Sequence, residues 1–291
     1  MKPIDPKEIN HTDLHKILLG GIAPRPIAFA STMDEQGIPN LSPFSFYNAF
    51  GVNPSTLIFS PSRRGRDNST KHTLENLKLL PEVVLNAVTF DMVQQMNLAS
   101  TEYPKGVDEF IKSGFSKLES VKVKPYRVKE SPLHFECRVR EIIETGGKAG
   151  SANLVVCEIV YVHVDEQFLN QQGLIDTTKI DLVGRMGGNY YVRASGDALF
   201  EVPKPLSTMG IGVDSLPESI RMSGVLTGND LGQLGNLERM PDAEEVRIFV
   251  EGLETGKRKA EKHAIHLQAK EFIASGRVED ALKLLLSAEL M

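Results

Sequence analysis

The 291-residue chain contains no tryptophan and only two cysteines. Ring stacking must therefore fall to Phe, Tyr or His, and a disulfide scaffold is excluded, since it would need more cysteines. Cys137 and Cys157 each lie in an apolar, β-like run, where a free thiol packs as a small hydrophobe. No CxxC, HExxH or GxSxG motif occurs. Gly210-Ile211-Gly212 lacks the third glycine of a dinucleotide fingerprint, and the stretch from Gly252 to Lys257 is one residue short of a P-loop. His263 and His266 share a helix face but have no companion ligands, so no metal site is expected. The net charge of −5 argues against general nucleic-acid binding, which calls for a basic surface. No run is long enough to span a bilayer, and the first six residues form no apolar signal core. The expectation is a cytoplasmic protein with no membrane partner.

What is present is an ordinary globular composition, 41% hydrophobic and 24% charged, in a chain long enough for one large or two small domains. Residues 12–20 predict a short helix capped by Thr12 or Asp13, followed by an extended Pro24-Arg25-Pro26. Residues 27–32 and 40–50 predict two strands around a turn at Asp34-Glu35-Gln36-Gly37, and residues 56–60 a third. Residues 83–89 form a further apolar run, and helices are expected at 91–100 and 107–113. The long β-rich runs 132–143 and 154–164 flank a glycine-containing connection, the pattern of an antiparallel hairpin. Strands with short helices between them, and no regular βαβ alternation, predict an antiparallel barrel rather than a doubly wound sheet. Beyond Pro205 the character changes. Residues 206–236 read as a partly helical connection, residues 242–253 as a helix, and residues 257–274 and 278–290 as a helical hairpin that must dock on the core domain or a second subunit.

Two stretches carry candidate chemistry. Residues 60–71 hold Arg63, Arg64, Arg66 and Lys71 among Ser62, Ser69 and Thr70, and Thr73-Leu74-Glu75-Asn76-Leu77 then opens a helix. A hydroxyl-rich basic loop feeding a helix N-terminus can hold an anion; it can equally be a solvated loop with ordinary capping. The second stretch is the glycine cluster Gly184-Arg185-Met186-Gly187-Gly188-Asn189-Tyr190-Tyr191, either a ring-covering element or a turn with packing tyrosines.

Three segments together carry a resemblance: Pro24-Arg25-Pro26-Ile27-Ala28-Phe29-Ala30-Ser31-Thr32, Asn40-Leu41-Ser42-Pro43-Phe44-Ser45-Phe46 and Lys71-His72-Thr73-Leu74-Glu75-Asn76-Leu77. In order and spacing they resemble the flavin reductase-like, or flavoredoxin-like, family, and the late Arg185 to Tyr191 cluster looks like its arginine, double-glycine and tyrosine element. The resemblance covers about residues 14–205. It implies an α+β chain, mainly β, with an antiparallel FMN-binding split β-barrel over residues 1–205; residues 206–291, beyond the resemblance, read from their own pattern as a partly helical C-terminal extension. It also implies a homodimer with FMN near the subunit interface, hydride acceptance from NADH or NADPH as substrate, and delivery of electrons to an unidentified acceptor. Ser60, Arg63, Lys71 and Thr73 are assigned to the flavin phosphate on that basis. Ala30, Ser31, Thr32, Asn40, Leu41, Ser42, Pro43 and Ser45 are assigned to the polar rim of the ring, and Phe46 or Tyr190 to its face or edge. His72 stands where the family usually has Asp, which removes a carboxylate and leaves a donor. No catalytic side chain is assigned, because the flavin supplies the chemistry. The alternative is a non-enzymatic FMN-binding carrier or assembly module that uses the C-terminal helices as a partner surface.

Overall fold

The computed structural model describes residues 1–203, 209–253 and 261–289. These fall into two units, Met1–Phe200 and Glu201–Met291. In the first unit, α1 (His11–Gly21) starts from Asn10, whose Oδ1 accepts the Asp13 N–H at 2.9 Å; the cap lies two residues before the expected Thr12. β1 (Ala28–Met33) and β2 (Pro39–Phe44) pair across the expected turn, where Gly37 takes a φ of 82°. The single strand expected over 40–50 is in fact two, β2 and β3 (Tyr47–Val52), interrupted at Ser45 and Phe46. There follow β4 (Ser55–Phe59), α2 (His72–Leu79), β5 (Glu82–Asn86), α3 (Val93–Leu98) and α4 (Glu109–Ser113). The short pair β6 (Lys117–Leu118) and β7 (Arg127–Val128) precedes the long hairpin of β8 (Leu133–Glu144) and β9 (Asn153–Val164), and β10 (Val183–Arg185) pairs with β11 (Tyr191–Arg193).

Seven strands form one sheet in the order β2-β1-β5-β8-β9-β4-β3, antiparallel throughout. β2 and β3 stand at opposite ends of that order, yet only Ser45 and Phe46 separate them in the chain. A link of that length spans about 10 Å at most, so the sheet must roll until its ends meet. The β1–β2 ladder stops at Phe44 and the β3–β4 ladder starts at Tyr47, so the barrel is split at this bend. The arrangement is the antiparallel split barrel expected from the sequence.

Side chains alternate between two cores, as the strand period requires. Ala28 and Ala30 face the barrel interior with Phe44, Phe59, Leu85, Cys137 and Cys157, and α2 inserts Leu74 and Leu77. Phe29 and Leu41 face the other way, onto a second cluster with Met92, Met96 and Phe110. Because β1 is buried on both faces it shows no polar alternation in the sequence. Both cysteines are buried and free, and burial pushes the Cys157 thiol up to about 12.

A buried polar cluster lies on β8 and β9. Glu136, fully buried, accepts the N–H groups of Val121 and Lys122 and pairs with His163 Nε2 at 2.7 Å. Beside it His134 places Nε2 2.8 Å from the Val128 carbonyl, while its Nδ1 is buried without a partner. Burial outweighs that hydrogen bond and drops the His134 imidazole to about 4, so the native ring is neutral. The unfolded chain then takes up the proton first, and stability is lost as pH falls from about 6.5 towards 4. A loss of about 2–3 kcal/mol over that range is expected. Urea midpoints of wild type and His134→Gln across this range will check it, the variant showing the shallower decline.

In the second unit, α5 (Glu218–Arg221), α6 (Gly228–Gly235), α7 (Ala243–Gly252), α8 (Lys262–Ala274) and α9 (Val278–Ser287) share one core. Capping boxes at Thr227/Asp230 and Asp242/Glu245 start α6 and α7. The α8–α9 hairpin turns at Gly276, φ 78°. Residues 257–260 and 290 of the two expected helices lie outside the described residues. The stretch expected to be a mere connection contributes Leu216, Ile220, Leu226 and Leu234 to the same core as Ile265, Ile273, Leu282 and Leu285. The hairpin therefore docks on its own unit's short helices. No described helix is long and apolar enough to cross a membrane.

Candidate functional site

The bend at Ser45 and Phe46 is anchored by a buried arginine. Arg25, 4% exposed, donates from Nη1 to the carbonyls of Leu19 (2.6 Å) and Ile22 (2.7 Å), from Nη2 to that of Met186 (3.0 Å), and from Nε to Ser45 Oγ (3.3 Å). One guanidinium thus joins the end of α1, the β10–β11 hairpin and the split in the barrel. The glycine cluster serves close packing here: a Cβ on Gly187 would lie 3.1 Å from the Gly20 Cα. Of the two tyrosines left open by the sequence, Tyr191 packs under Arg185 with 4.5 Å from guanidinium carbon to ring centre, and Tyr190 is exposed at the hairpin tip. Phe46 is partly exposed and meets His15 edge-on at 6.2 Å.

A second group of predicted residues forms a buried hydrogen-bond chain where α2 meets β2. Thr73 Oγ1 donates to Asn40 Oδ1 (2.8 Å), Asn40 Nδ2 donates to Glu109 Oε1 (3.0 Å), and the Leu41 N–H donates to Glu109 Oε2 (3.1 Å). β2 is an end strand, so the Leu41 N–H has no neighbouring strand on that side; Glu109 from α4 fills the position. Burial pushes the Glu109 carboxyl up, and the donors from Leu41 and Asn40 oppose the shift. Asn76 Nδ2 similarly donates to Thr32 Oγ1 at 3.2 Å. Ser60 is buried, its Oγ accepting the Asn153 N–H at 3.2 Å and facing Ser62 Oγ at 3.3 Å. Ala30, Ser31 and Leu41 are fully buried, with Ser31 Oγ unpartnered. Ser42, Pro43 and Ser45 are half-buried along the approach to the bend.

The third element is cationic. Arg64 Nε lies 3.0 Å from Glu102 Oε1, Arg66 Nη2 2.7 Å from Glu102 Oε2, and Lys71 Nζ 3.5 Å from Glu102 Oε1. Arg64 is fixed in place by further bonds to Ser69 Oγ and the Thr70 carbonyl. Arg63, the arginine singled out in the sequence, instead donates to the side chain and carbonyl of Asn68, both at 2.9 Å. Lys71 is the N-cap of α2, and no side chain caps that helix end. Its first amides therefore lack intrahelical acceptors and point where an anion would sit. His72 lies alongside; burial, with Arg64, Lys105 and Lys71, lowers its pKa and keeps it neutral despite Glu75. A cleft runs from Asn40 and Ser42 past Lys71 and Arg64 to Glu102 and Tyr103, so the cations and the β2 segment share one hollow.

This donor set fits a phosphate, because it already holds a carboxylate with three cations beside an uncapped helix end. Residues 20–179 match the flavin reductase-like domain. The chain belongs to the flavin reductase-like family. An uncharacterized protein of Aquifex aeolicus is 33% identical over 196 residues, which are 67% of this chain and 97% of the relative. YwrF of Bacillus subtilis, also uncharacterized, is 29% identical over 191 residues, 64% of this chain and 91% of that one. Among solved structures, nitrilotriacetate monooxygenase component B from Bacillus cereus is 27% identical with a TM-score of 0.65, covering 69% of this chain and 98% of that one. The flavoredoxin of Desulfovibrio vulgaris shares the fold at 19% identity and a TM-score of 0.54, covering 71% and 98%. This flavin reductase-like chain is thus a flavin-utilising oxidoreductase, and its second unit lies beyond the family match. Glu102 and Glu109 escaped sequence reasoning. Neither belongs to a recognisable motif (Glu109 directly follows Asp108, the cap of α4), and only the fold brings each to residues thirty to seventy positions earlier.

Proposed function

We propose that the first unit binds FMN and that the protein is an NAD(P)H-dependent flavin reductase. The observation that carries this reading is the Glu102 carboxylate held by Arg64, Arg66 and Lys71 at the open end of α2, in a cleft that continues to Ser42. The phosphate of FMN, nearly dianionic at neutral pH, takes the cationic end; the ring lies towards Ser42, Pro43 and Ser45. Bound FMN would accept a hydride from NADH or NADPH and pass the electrons to an acceptor. The protein's own part is positional. Arg25 and Glu109 hold the two ends of the β2 segment, and the backbone at Ser45, outside both ladders, lies open to the ring rim, whereas the Phe46 carbonyl already accepts the Ser60 N–H at 2.9 Å.

A homodimer fits the edge strand β3, which carries Phe50 at 65% and Val52 at 94% exposure on a chain segment adjoining the bend. Unpaired apolar edges of this kind are normally covered. A cytoplasmic setting fits the two free thiols.

The reading is tested by adding FMN and riboflavin to wild type and Ser45→Trp. An indole at the bend should weaken both flavins at least tenfold and abolish flavin-dependent NADH or NADPH oxidation, with the far-ultraviolet dichroism unchanged. Equal flavin affinity in a folded variant would remove the ring from this position.

A further inference from the structure

The cleft contains two carboxylates held in opposite ways. Glu109 is 3% exposed and fixed by the Leu41 N–H and the Asn40 amide, both parts of the barrel edge. Glu102 has a side chain 38% exposed and sits on the turn after α3, where Ser100 and Thr101 N–H groups bond back to Asn97 and Leu98. Its oxygens are held by the three cations. The backbone under Glu102 is anchored, and its side chain borders solvent, with these ion pairs holding it in the cleft.

We propose that Glu102 is an intramolecular competitor for the flavin phosphate, which makes FMN an exchangeable ligand of this protein rather than a permanently retained one. The inference rests on the phosphate assignment made above. A carboxylate tethered next to its cationic partners acts at a high effective concentration, so it holds them whenever the phosphate is absent. Incoming FMN must displace it or share its cations; departing FMN is replaced by it without leaving Arg64 and Lys71 bare. The apparent dissociation constant is raised by the reciprocal of the fraction of time the cations are open. Occupation of the cations for about nine-tenths of the time weakens phosphate binding about tenfold. Riboflavin, which has no phosphate, does not compete with Glu102.

The test measures FMN and riboflavin dissociation constants by flavin fluorescence on the full-length wild type, Glu102→Gln, Glu102→Ala and Lys71→Ala. Inorganic phosphate serves as a second probe, through its effect on the melting temperature. Both Glu102 variants should bind FMN about tenfold more tightly with riboflavin unchanged, and phosphate should stabilise them more than wild type. Unchanged or weakened FMN binding in the Glu102 variants, while Lys71→Ala still loses FMN selectively, would overturn the competitor role and leave the phosphate site standing. If Lys71→Ala leaves the FMN-to-riboflavin ratio at the wild-type value, the phosphate assignment falls and the competitor role with it.

Discussion

Replacing Lys71 and Arg66 together by alanine is expected to weaken FMN by roughly thirty- to a thousandfold and to leave riboflavin within about threefold of wild type. Hydrogen bonds to a charged acceptor contribute about 1.5–3 kcal/mol each where they are sheltered. Arg66 is 72% exposed in its side chain, and solvent screening there reduces the full sum of about 3–6 kcal/mol to about 2–4 kcal/mol, where 1.4 kcal/mol is a factor of ten. These two residues are the clean choice within the cluster. Arg64 also ties Ser69 and Thr70 into the loop, and Thr73 is part of the Asn40–Glu109 chain, so their loss would disturb the fold as well as the ligand. Isothermal titration of both flavins checks the expectation; a parallel loss for FMN and riboflavin would mean that the pair acts on the ring or on the barrel.

Arg25→Ala should destabilise the first unit by about 3–5 kcal/mol, the scale of removing one member of a buried charged hydrogen-bond set. The guanidinium is nearly fully buried and donates to the carbonyls of Leu19, Ile22 and Met186 as well as to Ser45. Its removal leaves those carbonyls facing a cavity and releases three separate chain segments from one another. Arg25→Lys should recover only part of the loss, because an ammonium cannot direct donors in the planar fork that reaches α1, the bend and the hairpin at once. Urea denaturation followed by tyrosine fluorescence gives the change, and hydrogen exchange at residues 185–191 reports whether the hairpin loosens first. A variant within 1 kcal/mol of wild type would show that the three contacts are incidental.

Much of the barrel was legible because its signals are local. Gly37 marks the first turn by the positive φ it must take, the long β8–β9 hairpin announces itself by two β-rich runs around glycines, and the basic loop before α2 shows its charge directly. The split at Ser45 and Phe46 was not legible, since aromatic and small residues continue through it and nothing in the pattern says that the two halves belong to opposite ends of a sheet. Among the residues grouped from sequence, Asn40, Ser42 and Lys71 do share a cleft, whereas Thr73 is tied through Asn40 to Glu109, and Thr32 to Asn76, in bonds that only the folded chain creates. The basic stretch showed that arginines were present without showing which would turn towards Lys71: Arg63 folds back on Asn68, and Arg64 and Arg66 converge on a glutamate more than thirty residues away. In the second unit, the leucines of the supposed connection completed a core that helix periodicity alone assigned to an outside surface.

A crystal structure of the full-length protein with FMN would test the central claim most directly. The phosphate should lie within hydrogen-bond distance of Lys71 and the first amides of α2, with Arg64 turned to it and the ring running along Ser42 to Ser45. A complex in which the phosphate sits elsewhere, with Arg64, Arg66 and Lys71 still closed on Glu102, would contradict it.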